Sequence, residues 1–186
     1  MSAMPSIADI RFDREKGENN REERGVADCA FFVNKRWATQ FSVCEAVSRK
    51  DYEDLTVSFT PFCLSQETGQ ITVILVYVPG PDNARAAESI AHPYNKAVSQ
   101  AEDRPVFILG DFNSCDISEH LPNLEQFVTF PTRNKRTLDK CYSNIPNAFD
   151  TRRRPPFGKS DHCCTCVRVC VCVCVCVCVC VCVCMC

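Results

Sequence analysis

The sequence predicts an α/β or α+β layered domain. Three observations carry this. Ile71 to Val78 is an almost unbroken apolar, largely β-branched run; Val106 to Leu109 is another; and between them apolar residues recur at spacings of three and four. Strand, helix, strand in that order is the unit from which a helix-covered sheet is built.

Each element has its own signature. Ala30-Phe31-Phe32-Val33 is a short apolar run that reads as a strand. Leu55-Thr56-Val57-Ser58-Phe59 alternates, which predicts a half-buried strand. Ile71 to Val78 has no polar face to turn to water, so it predicts a strand covered on both sides. Ala87, Ile90, Ala91, Tyr94, Ala97 and Val98 form the apolar stripe of a helix, with Asp82 or Asn83 placed to cap its start. Pro93 interrupts that stripe. A proline inside a helix removes a hydrogen bond and costs roughly 3 kcal/mol, so a kink or break is expected there. Val106-Phe107-Ile108-Leu109 closes the unit as a second buried strand.

Composition bounds the rest. The chain has 186 residues, 46% hydrophobic and 24% charged, with a formal charge of -2. That suits one domain with a sizeable core, and the chain as a whole is no polycation. Of 17 cysteines, twelve crowd into residues 163–186. The other five, Cys29, Cys44, Cys63, Cys115 and Cys141, are scattered without a CxxC pair, unlike a disulfide framework or zinc site. Met1 to Arg14 lacks the basic-then-apolar pattern of a secretion signal. The expectation is an intracellular, reducing location and a protein that is not secreted. A small secreted disulfide scaffold, a collagen-like chain and a multi-span membrane protein are excluded.

The chain divides in three. Residues 1–28 are a polar, mixed-charge segment read as a loop or frayed terminus. Residues 29–162 hold the predicted domain. Residues 163–186 are low complexity, with Val and Cys alternating from Val169 and Met185 as an exception. Simple TG-repeat DNA read in frame gives this alternation, and the codons for Arg168 and Met185 need differ from the repeat by one base each. If extended, the tail puts thiols on one face and valines on the other, an aggregation hazard. A thiol sponge for soft metals is the sharper reading of the same residues.

Several residues could carry chemistry. Gly110-Asp111-Phe112-Asn113 follows directly on a buried strand, where α/β folds hold their sites. Asp111 can bind a hard cation or take a proton from water. Asn113 would reach the same side if the chain stayed extended. Ser160-Asp161-His162 sets a carboxylate beside an imidazole, and Pro155-Pro156-Phe157-Gly158 before it reads as a tight loop. Asp139 lies in Thr137-Leu138-Asp139-Lys140-Cys141-Tyr142, among alternating apolar positions. Tyr77 ends the strongest strand, just before Pro79. Basic residues gather late: Arg133, Lys135, Arg136, Lys140, Arg152, Arg153, Arg154 and Lys159 stand against Asp139 and Asp150, a net of +6 between Arg133 and Lys159. Such a segment can face a phosphate backbone.

Taken in order, Val73 to Pro79 (VILVYVP), Val106 to Asn113 (VFILGDFN), TLDKCY and KSDH resemble the endonuclease/exonuclease/phosphatase family. With GVADCAFFVNKRW and GDFNSCD, the phrasing is similar to the apurinic-type endonuclease domains of LINE-type retrotransposons, the reverse-transcriptase-associated mobile elements of animals, fish among them. The likeness runs roughly from Ile10 to His162. It implies a four-layer αββα sandwich and hydrolysis of DNA phosphodiesters with Mg²⁺ or Mn²⁺. Tyr77 would bond the scissile phosphate. Asp111 would position or activate the water and touch the metal, and Asn113 would orient water and phosphate. Asp139 would hold the loop geometry. Asp161 would touch the metal or pair with the imidazole, and His162 would stabilise charge on the phosphate. Arg133, Lys135, Arg136, Arg152, Arg153, Arg154 and Lys159 would face the DNA.

The sequence departs from the family twice. The family's first strands, one with an Asn and one ending in a metal-binding Glu, have no counterpart; Glu18, Glu22 and Glu23 lie in a polar run with no strand before them. A partial sandwich, first strands missing, and an impaired enzyme are therefore expected. After His162 the family enters a final strand. Here Val167, Val169 and Val171 alternate suitably to replace it, and the rest of the tail is expected to lack a partner. A non-catalytic nucleic-acid-binding remnant, a non-functional reading frame, and phosphatase or inositol-phosphate chemistry are the alternatives.

Overall fold

A computed structural model describes residues 7–11, 29–35, 37–49, 51–62, 69–80, 84–101, 103–147, 149–172 and 175–181. In chain order the elements are β1 (Ile7–Arg11), β2 (Ala30–Asn34), β3 (Ala38–Ser48), β4 (Glu53–Pro61), β5 (Ile71–Tyr77), α1 (Ala84–Gln100), β6 (Val106–Asp111), β7 (Glu125–Gln126), β8 (Asp139–Ser143), β9 (Phe149–Pro156), β10 (Cys163–Cys172) and β11 (Val175–Val181). Six of them form the central sheet, in the order β3-β4-β5-β6-β8-β7. β5 and β6 pair in parallel, joined by α1. Their other sheet neighbours are antiparallel.

Period-two alternation sorts the side chains of this sheet onto two cores. Ile74, Val76, Val106 and Ile108 pack on one face with Ala86, Ala87, Ile90 and Ala97 of α1, and with Phe112, Ile117 and Leu121 of the loop after β6. Leu55, Val57, Phe59, Ile71, Val73, Phe107, Leu109 and Cys141 point to the other face, where Val33 of β2 and Val167 of β10 close over them. That second layer consists of the pair β1-β2 and the three-stranded sheet β11-β10-β9. The described residues thus build helix, sheet and second sheet, three of the four layers of an αββα sandwich. No described helix is long and apolar enough to cross a membrane.

The predicted strands and helix are present, with corrections. β4 is buried along almost its whole length, not half-buried, because Thr56 and Ser58 are covered on the α1 side as well. α1 runs unbroken through Pro93. The ring takes a place on the buried face with Ala86, Ile90 and Ala97, so packing offsets the lost hydrogen bond. The expected caps Asp82 and Asn83 lie outside the described residues. Within the polar N-terminal segment, Ile7–Arg11 is a strand paired antiparallel with β2. The tail also differs from expectation. β10 does serve as the final strand, against β9, but the tail does find a partner in itself, since β11 folds back on β10.

Candidate active site

Strand register builds the site. Glu53 of β4 lies opposite Tyr77 of β5, Tyr77 beside Asp111 of β6, and Asp111 opposite Asp139 of β8. Register partners share a face, so four polar side chains form one row across four adjacent strands. The row continues the face of Leu55, Val57, Leu109 and Cys141, and ends the apolar layer at one edge of the sheet. Gly110, beside this row, lets β6 lie close against β5. Its φ of +146° belongs to glycine, and a Cβ there would overlap the Val76 carbonyl oxygen.

The imidazole comes from the facing layer. His162 immediately precedes β10 and is 3% exposed. Its Nδ1 lies 2.9 Å from Oδ2 of Asp139. An ionised carboxylate there accepts a hydrogen bond from Nδ1–H, which fixes the tautomer and turns Nε2 outward. Thr132, 1% exposed, fastens the two halves of this pair. Its Oγ1 accepts from the N–H of Leu138 and of Asp139, both at 3.0 Å. Its carbonyl accepts from Cys163 N–H at 2.8 Å. On the other side, Ser160 Oγ accepts from His162 N–H at 3.1 Å.

Asp111 is 2% exposed. Burial lifts its carboxyl above the usual range; Asn113 N–H, donating to Oδ1 at 2.9 Å, pulls it back, the Asp139 charge raises it further and His162 lowers it. Burial also raises the Tyr77 phenol, and the carboxylates of Asp111 and Glu53 on either side add to the shift, so Tyr77 stays a protonated donor. Asn113 reaches the rim by a turn, not along an extended chain as expected. Its φ is +49°, and its Nδ2 donates to the Val78 carbonyl at 2.7 Å.

The structure therefore brings Tyr77, Asp111, Asp139 and His162 together and sets Asn113 beside them. Asp161 reaches the imidazole from the exposed rim. Its side chain is 63% exposed and paired with Arg133 at 2.7 Å, and its Oδ1 is 3.9 Å from His162 Nε2. The shorter contact to the imidazole is that of Asp139, on the ring nitrogen opposite the one Asp161 faces. One ligand atom each from Asp111, Asp139 and His162 lie within 4.8 Å of one another. Asp139 Oδ1, buried, accepts no hydrogen bond among the described residues. Two buried carboxylates and an imidazole, one oxygen of them uncommitted, fit a divalent cation such as Mn²⁺ or Mg²⁺.

The basic residues do not share one face. β9 alternates, so Arg153 points opposite to Arg152 and Arg154, and Arg152 pairs with Asp150 at 2.8 Å. Arg133 and Arg136 flank the turn beside Asp161, with Lys135 exposed between them. Lys140 is on the helix side, its Nζ donating to the Cys115 carbonyl at 2.6 Å. Lys159 is exposed on the loop before Asp161. Sequence reasoning missed Glu53, whose Oε1 accepts from Ser48 Oγ at 3.2 Å, and Thr132. The signal for Glu53 was its offset from Leu55 on an alternating strand; nothing local marked Thr132.

No protein-family model and no curated protein matches the sequence. Solved structures do match the fold. The catalytic domain of human Nocturnin, a structure with bound sulfate, aligns at a TM-score of 0.51 and 16% identity, covering 84% of this chain and 69% of that one. An endonuclease/exonuclease/phosphatase protein from Bacteroides vulgatus aligns at 0.52 and 13% identity, covering 84% and 73%. This is the endonuclease/exonuclease/phosphatase fold. A protein of that family from Bacteroides thetaiotaomicron is also similar, at a TM-score of 0.47, 12% identity, and coverage of 75% and 68%.

Proposed function

We propose that this chain hydrolyses phosphodiesters of DNA with a divalent cation, as an endonuclease-type domain of retrotransposon origin. The observation that carries the proposal is the row Tyr77-Asp111-Asp139 with the His162 imidazole bonded across to it. Hydrolysis needs a proton acceptor for water and donors for the phosphoryl oxygens. Burial raises the Asp111 carboxyl, which makes its carboxylate a stronger base than an exposed aspartate, fit to take the proton from the attacking water. The water oxygen bonds to phosphorus as the bond from phosphorus to the ester oxygen breaks, and that oxygen takes a proton from solvent to leave as an alcohol. Tyr77 O–H and, when protonated, His162 Nε2–H donate to the phosphoryl oxygens, while Asp139 keeps the imidazole facing them. Asn113, anchored to Val78, sets one edge of the water's position. Asp111 and Asp139 would hold the cation, which would neutralise phosphate charge when bound. Asp161, ion-paired with Arg133, would act at the mouth, by charge.

Plasmid nicking in Mg²⁺ and in Mn²⁺ tests the proposal. Asp111→Ala and His162→Ala should each lose at least a hundredfold, the usual scale for a catalytic acid or base. Equal nicking by all three proteins would remove the assignment. A second reading, a non-catalytic nucleic-acid binder, is favoured by the exposure of Arg152, Arg153 and Arg154 along β9. It expects salt-dependent affinity that survives EDTA and Asp111→Ala.

A further inference from the structure

Phe157 is 67% exposed, a large apolar side chain in water on the loop that delivers His162. Burial of apolar area favours folding, so a bare phenyl ring gains nothing for stability where it stands. Its backbone is nevertheless built. Pro155 and Pro156 end β9 just before it, and Gly158 takes a φ of +61° just after it. The Phe157 carbonyl accepts from Ser160 N–H at 3.2 Å, closing a tight turn. The same Ser160 bonds the N–H of His162 at 3.1 Å. A short hydrogen-bonded relay thus ties the backbone that carries the ring to the backbone that carries the imidazole. Exposed Arg154 and Lys159 flank the ring in sequence.

An exposed aromatic on a hydrogen-bonded turn, flanked in sequence by cations and linked through Ser160 to the backbone of His162, has the chemistry of a base-stacking platform. We infer that Phe157 stacks on a nucleobase flanking the phosphodiester held at His162. The substrate is then a nucleic-acid strand with an unstacked base at that position, not a small phosphate ester. This rests on the phosphodiester reading above. A ring that stacks contributes through every base type, so it supports affinity without sequence preference.

The test uses the full chain, kept reduced. A fluorescein-labelled single-stranded oligonucleotide and bis(4-nitrophenyl) phosphate are the two probes. Phe157→Ala should weaken oligonucleotide binding about tenfold in EDTA and leave hydrolysis of the small diester within twofold. Phe157→Trp should restore affinity, and its emission should be quenched by the oligonucleotide but not by one of the same length made entirely of abasic sites. Affinity within twofold of wild type for Phe157→Ala, or equal quenching by the abasic strand, would overturn the inference. Loss of small-diester hydrolysis in Phe157→Ala would also overturn it, by making the ring part of the centre's scaffold. If neither probe is hydrolysed by the parent chain, the phosphodiester reading falls, and the quenching still decides whether the ring meets a base.

Discussion

Thr132 does more for the centre than its chemistry suggests. One hydroxyl holds the backbone on which Asp139 sits, and one carbonyl holds the strand that follows His162. Thr132→Val keeps the shape and removes the hydroxyl acceptor, leaving two buried N–H groups unpaired. A loss of about 1–3 kcal/mol in denaturant midpoint experiments is expected, with a fall in nicking, while Thr132→Ser retains both. At this scale the sequence was readable in part. Asp111 and His162 stand in motifs, but what Asp139 does depended on a contact between residues 23 apart. Asp161 is the neighbour along the chain, and it faces the imidazole from the exposed rim while paired with Arg133.

The elements were legible where apolar residues filled them. β5, β6 and α1 declared themselves by period, and packing overrode only the propensity of Pro93. β3 was missed because its polar Gln40, Ser42 and Glu45 mark an edge of the sheet. β9 gave no strand signal because Arg152-Arg153-Arg154-Pro155-Pro156 has no apolar face; it too is an edge, where prolines and charges are tolerated. The most sensitive joint is between β5 and β6. Gly110→Ala would drive a methyl into the Val76 carbonyl in a conformation L residues avoid. Several kcal/mol of destabilisation are expected, enough to abolish a cooperative thermal transition, whereas Gly80→Ala, with open space around it, should leave the transition near its original temperature.

For the molecule as a whole, two buried acids set the response to pH. Under the α1 side of the sheet, Asp54 is 3% exposed and accepts from Tyr52 O–H at 2.6 Å and Thr56 O–H at 3.2 Å. Burial raises it above the usual carboxylate range despite these bonds, as it does Asp111. A raised acid binds its proton more tightly folded than unfolded. Its contribution is complete below the ordinary aspartate value of about 3.9 and is lost as pH rises through the folded value. Stability measured by urea unfolding should therefore decline from pH 4 upward over that window, and Asp54→Asn should flatten part of the slope. The tail divides into a part the core needs and a part it does not. Val167 is 2% exposed within the apolar layer, so ending the chain before Cys163 should collapse the fold, whereas ending it after Cys172 removes, among the described elements, β11 alone. Circular dichroism of the two truncations reads the difference.

The imidazole and its carboxylate belong to different layers, and the bond between them spans that seam. The proposed hydrolysis is thus a gauge of how tightly two slabs are clamped, not merely of whether each is folded. On gentle heating, hydrolysis should fade several degrees ahead of the loss of β signal, because a slip of one ångström between slabs disarms the centre while every strand still keeps its own neighbours.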